Sequence, residues 1–98
     1  MASFIIVFDS THAAIAAQGV LRKPPNGAKP VRFSVVSTPA EISAGCGMSL
    51  SFEAPARINA LETLALLDEF YQVAGLYERI GNAREGRFAP LGGGLIGW

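Results

Sequence analysis

The sequence predicts an α+β fold of the ferredoxin-like kind. Its elements run β-α-β-β-α-β and fold as a four-stranded antiparallel sheet, order 4-1-3-2, with two helices on one face. Two observations predict this. Apolar residues run together or alternate with strand period in four segments, and recur with helical period in two segments between them. The chain has 98 residues, 50% of them hydrophobic and 16% charged, which suffices for one core and not for two.

The first strand is residues 3–8, Ser-Phe-Ile-Ile-Val-Phe, whose unbroken apolar run suits a central strand covered on both faces. Asp9, Ser10 and Thr11 are all good helix caps, and a helix is expected over 12–22. Ala13, Ala14, Ala17, Val20 and Leu21 share one face of it, and Lys23-Pro24-Pro25-Asn26-Gly27 ends it. Residues 31–37 alternate as a second strand, with Val31, Phe33 and Val35 opposite Arg32 and Ser34. Residues 48–53 alternate as a third, with Met48, Leu50 and Phe52 inward and Ser49, Ser51 and Glu53 outward. The second helix spans roughly 55–70, started by Pro55 or Asn59, and Asn59 with Glu62 resembles a capping box. The last strand is 73–80, weakened by Gly75. Residues 1–80 thus form the domain. Residues 81–98 form a tail with six of the eleven glycines, expected to be flexible unless its apolar residues pack on the open sheet face or on a neighbour.

Composition excludes several function classes. Eight basic residues balance eight acidic ones, so the chain lacks the basic excess that nucleic acid demands. The longest hydrophobic runs are five residues, Phe4 to Phe8 and Ala13 to Ala17, too short for a membrane span. No basic region precedes a long apolar stretch at the start, so no signal peptide is expected, and the expected location is cytoplasmic. One cysteine, Cys46, excludes an internal disulfide and a cysteine-rich zinc site, and one histidine with no carboxylate cluster gives no metal set. Gly92-Gly93-Gly94 matches no phosphate-loop spacing. No cofactor is expected.

The chemistry concentrates between the second and third strands. Thr38-Pro39-Ala40-Glu41-Ile42-Ser43-Ala44-Gly45-Cys46-Gly47 is long for a hairpin loop. Thr38, Pro39 and Glu41 have the spacing of a capping box that opens one helical turn, and Gly45 suits its end. Cys46 emerges between Gly45 and Gly47, just before the third strand. That strand runs antiparallel to the first, so Cys46 should lie near Thr11 and His12 at the first helix's N-terminus. Unpaired N–H groups there favour a thiolate, and thiolates are nucleophiles. His12 would add a proton donor or acceptor. The plainer reading makes a lone cysteine a small buried apolar residue, but a glycine-flanked loop position is seldom a core filler. His12 as a mere first-turn polar residue stands level with a functional one; Asp9, Ser10, Thr11 and Glu41 read first as caps, and Leu61, Leu64 and Leu67 as core.

Ser10-Thr11-His12-Ala13-Ala14 after a hydrophobic strand, with Pro39-Ala40-Glu41-Ile42-Ser43-Ala44-Gly45-Cys46-Gly47 before another, resembles the small bacterial selenium/sulfur (Se/S) carrier protein-like family. The resemblance covers roughly residues 3–80. After the proline the family's pattern has a basic residue, and this chain has Ala40. The resemblance implies that Cys46 carries sulfur or selenium as a persulfide or selenosulfide and passes it to a partner protein, with Gly45, Gly47, Ser43, Thr11 and His12 around it. Donor and acceptor proteins are the implied partners. A single thiol suits a carrier, since a second would resolve the persulfide to a disulfide, and no base–orienter pair suggests a stand-alone enzyme. Two alternatives remain. One is a non-enzymatic binding, regulatory or oligomerisation module, pairing as a homodimer through the open sheet face where Ile5 and Val7 oppose Phe4, Ile6 and Phe8. The other is a thiol redox sensor.

Overall fold

The computed structural model describes residues 2–25, 27–42, 45–68, 73–80 and 87–92. Its elements are β1 (Ala2–Phe8), α1 (Thr11–Arg22), β2 (Phe33–Ser37), β3 (Met48–Ala54), α2 (Arg57–Asp68), β4 (Val73–Ile80) and β5 (Arg87–Gly92). They form a five-stranded sheet in the order β2-β3-β1-β4-β5, with each neighbouring pair antiparallel. The expected four-stranded arrangement is thus corrected by a strand from the segment read as a tail. The physical reason lies on both faces of that strand. Phe88 packs against the side of the sheet away from the helices, and Leu91 against the helix side, so β5 adds cover to both.

The alternation in β1 decides where the core sits. Phe4, Ile6 and Phe8 are fully buried and point toward the helices, together with Leu50, Phe52 and Leu76. Each such side chain contributes about 1.5–3 kcal/mol by leaving water. Ala14, Ala17 and Leu21 of α1 and Ala60, Leu64 and Leu67 of α2 complete that layer. Ile5 and Val7 point the other way and are also buried, beneath Ile42, Ala74, Tyr77 and Phe88. The apolar patch expected to invite a partner through the open face is therefore covered by the chain itself.

Local chemistry sets the helix ends. Ser10 caps α1, its hydroxyl accepting from the Ala13 N–H at 3.1 Å. At the other end Arg22 lies 5.2 Å from the Phe33 ring centre, and the Val31 N–H donates to the Leu21 carbonyl at 3.0 Å. These contacts return the chain to β2. The start of α2 differs from expectation. Asn59 is inside the helix, and its side-chain oxygen reaches back to accept the Ala56 N–H at 3.2 Å. It fills the returning position of a capping box, not the cap. The Arg57 Nε donates to Glu78 Oε1 at 2.7 Å, tying this end of α2 to β4.

Candidate functional site

Five strand ends meet at one end of the sheet. The C-terminal ends of β1, β2 and β5 lie beside the N-terminal ends of β3 and β4, because every pairing is antiparallel. The 38–47 loop and the start of α1 occupy this end.

Three contacts hold the backbone around Cys46. The Cys46 N–H donates to the Phe8 carbonyl at 2.9 Å, which places it at the last residue of β1, two residues before the Ser10 cap. The Thr38 hydroxyl donates to the Cys46 carbonyl at 2.9 Å. The Thr38 N–H donates to the Gly47 carbonyl at 3.0 Å, extending the β2–β3 ladder by one pair. Thr38 Oγ1 also lies 2.6 Å from Ser49 Oγ. A hydroxyl has one proton, and that of Thr38 is directed to Cys46, so Ser49 donates in this pair. Ser49 is fully buried, contrary to the outward position expected for it.

The loop therefore does not open as a capped helical turn. The Ile42 N–H donates to the Pro39 carbonyl at 3.0 Å, closing a simple turn, while the Thr38 side chain is engaged with Cys46 and Ser49. Glu41 is exposed. Ile42 is only 7% exposed and packs on Ile5 and Val7, so it anchors the loop across the outer face of the sheet.

The two flanking glycines are not equivalent. Gly45 has φ +71°, the left-handed region that side chains disfavour, and a Cβ on it would collide with the Phe8 carbonyl oxygen and the Val7 side chain. Glycine is required there because the loop passes directly over the end of β1. A Cβ on Gly47 would meet nothing within 4 Å. Ser43 lies outside the described residues.

Cys46 is a free cysteine of intermediate exposure. Its Sγ donates to the Met48 carbonyl at 3.4 Å, a weak bond that holds the protonated thiol over the start of β3. Thr11 and His12 are the first two residues of α1, and both are exposed. Among the described residues no hydrogen bond joins either to Cys46, nor does any group of three or more His, Cys, Asp or Glu side chains offer a metal site. A cavity of about 800 Å³ lies at the opposite end of the β2–β3 pair, lined by Arg32, Phe33, Glu53 and Asn59 among others. It contains none of the expected site residues.

The family model described as "Putative Se/S carrier protein-like" matches residues 3–78. The chain belongs to this family. The match runs from β1 into β4 and includes the whole Cys46 loop, and it ends before β5. No curated protein and no solved structure matches the chain. Sequence reasoning missed Ser49 and the Phe8 carbonyl as the loop's anchors. The alternation in β3 offers no signal for Ser49, because Ser51 and Glu53 share its face and only the fold places Thr38 over it.

Proposed function

We propose that this protein is a sulfur or selenium carrier that holds its cargo on Cys46. Membership of the carrier-like family, with Cys46 inside the matched region, is the observation that carries this reading. The geometry supports it. The backbone of Cys46 is held at its N–H and its carbonyl, while the sulfur has one weak bond, to the Met48 carbonyl. Group transfer needs that combination: a placed but accessible nucleophile.

In the proposed cycle the Cys46 thiolate attacks the outer sulfur of a donor persulfide. A new S–S bond forms on Cys46, the donor's S–S bond breaks, and the donor thiolate leaves. One sulfur atom moves and there is no net oxidation. An acceptor thiolate then attacks the outer sulfur, and Cys46 departs as thiolate. With selenium the bond formed is a selenosulfide. Thr11 and His12 open α1, three and four residues after Phe8, whose carbonyl holds the Cys46 N–H. In this reading His12 receives or supplies the proton exchanged with the Cys46 thiol, and Thr11 borders the approach that a partner takes. Gly45 lets the loop seat on the end of β1, and Gly47 adds no side chain next to the cysteine.

Mass spectrometry after incubation with a cysteine or selenocysteine desulfurase tests the proposal. The wild-type chain is expected to gain one sulfur or selenium, and Cys46→Ser to gain none. The serine hydroxyl can still donate to the Met48 carbonyl, so the variant should stay folded. Equal loading of the two chains, or no loading of the wild type, defeats the proposal.

A further inference from the structure

The two edges of the sheet are unlike. The β5 edge carries Arg87 and is interrupted by Pro90, which has no N–H to offer a neighbouring strand. The β2 edge, Phe33-Ser34-Val35-Val36-Ser37, has neither a charge nor a proline. The β2–β3 ladder shows which of its groups are free. The Thr38 N–H bonds to Gly47, so residues 34 and 36 likewise address β3, and Phe33, Val35 and Ser37 present their N–H and C=O groups outward. Val35 is 48% exposed although its strand is apolar. Unguarded edges of this type pair with another strand.

We propose that the β2 edge pairs with the β2 edge of a second copy of this chain, and that the pairing brings Arg32 of the second copy to the Cys46 loop. An antiparallel two-fold centred on Val35 is the register that uses the whole strand. It sets Val35 opposite Val35, Phe33 opposite Ser37 and Ser34 opposite Val36. The outward groups of Phe33, Val35 and Ser37 then meet one another, and no like charges are opposed. The strand is self-complementary, which favours a second copy over an unrelated strand.

Continuing the register by one residue sets Arg32 opposite Thr38. Val31 and Phe33 both pack on the helix-side core, so Arg32 between them faces the other side of the sheet, as does Thr38 above Ser49. Directly opposed side chains lie about 4.5–5.5 Å apart at Cβ. Arg32 is exposed and has no ion-pair partner among the described residues. In the pair it stands beside the residue that holds the Cys46 carbonyl, and it adds a positive charge on the approach to the sulfur. This second element rests on Cys46 being the working residue; the pairing itself does not.

Light scattering across a wide concentration range tests the pairing. The apparent mass is expected to double with concentration. Val35→Lys, which puts a charge at the centre of the edge, should remain monomeric. Val35→Pro removes an N–H that addresses no strand of its own sheet, and should also remain monomeric if the lysine variant fails to fold. A wild type that stays monomeric throughout overturns the proposal, as does a folded variant that doubles equally. The rate of Cys46 alkylation by iodoacetamide tests the arginine. Arg32→Ala should slow it several-fold where the wild type is paired and leave it unchanged where both are monomeric. Equal rates in the paired state overturn the role of Arg32. Desulfurase loading is read separately: a chain that pairs through β2 but never loads sulfur refutes the carrier reading and leaves the pairing intact.

Discussion

Replacing Gly45 by alanine tests the geometry that places the Cys46 loop. Two costs arise at this position. Holding a residue with a side chain at φ +71° costs about 1–2 kcal/mol. The new methyl also overlaps the Phe8 carbonyl and the Val7 side chain, and overpacking of this kind costs about 1–3 kcal/mol. The loop can escape only by lifting off β1. That forfeits the Cys46 N–H bond to Phe8, about 0.5–1.5 kcal/mol. It also uncovers Ile42, about 1.5–3 kcal/mol. Both routes give a loss of about 2–5 kcal/mol, a large part of the ~5–15 kcal/mol that such a domain has. Urea denaturation should register it, and thermal melting should show a fall on the order of 10–40 °C. Gly47→Ala is the control, because a Cβ there meets nothing within 4 Å and no left-handed backbone is involved. It should change stability by no more than about 0.5 kcal/mol. Equal losses in the two variants would refute the claim that the loop is seated on the end of β1.

Three further outcomes follow from the same contacts. Thr38→Val leaves the buried Ser49 hydroxyl without a partner and should cost about 1–3 kcal/mol. Adding Ser49→Ala should then cost little more, and fully additive losses in a double-mutant cycle would mean that the pair does not interact. Phe88→Ala removes cover from Ile5 and Val7 and the ring that Arg79 overlies at 5.4 Å. A loss of about 1–3 kcal/mol is expected for this half-buried ring, less than for a fully buried one; an unchanged denaturation midpoint would contradict the packing of β5. Arg57→Ala should cost less than about 1 kcal/mol despite its 2.7 Å bond to Glu78, since the arginine is 69% exposed. A larger loss by thermal melting would show that this ion pair anchors α2.

Much of the fold, and the position of the candidate cysteine, is legible in the sequence. The order of the first six elements, the two-sided burial of the first strand and the glycine-flanked Cys46 all follow from patterns within a few residues of one another. The rest depends mostly on residues distant in the chain. Thr38 and Glu41 have the spacing of a cap, but Ser49, eleven residues away, engages the threonine. The start of α2 is a local ambiguity: the sequence offers Pro55 or Asn59, and the Asn59 side chain reaches back three residues to Ala56. The six glycines of 81–98 leave open whether this segment is flexible or packs on the sheet, and only the fold shows Phe88 and Leu91 finding partners on its opposite faces.

The sequence by itself determined the α+β class, the candidate nucleophile and the family, because periodicity and short motifs are local properties of a chain. Only the tertiary structure decided that Gly45 and not Gly47 is obligatory, that a buried serine braces the loop through Thr38, and that Ile42, Tyr77 and Phe88 cover the face expected to be open. Each of these is a matter of which surfaces come within a few ångströms of one another. Spacing along the chain carries no such information until the sheet brings β1, β3 and β4 side by side.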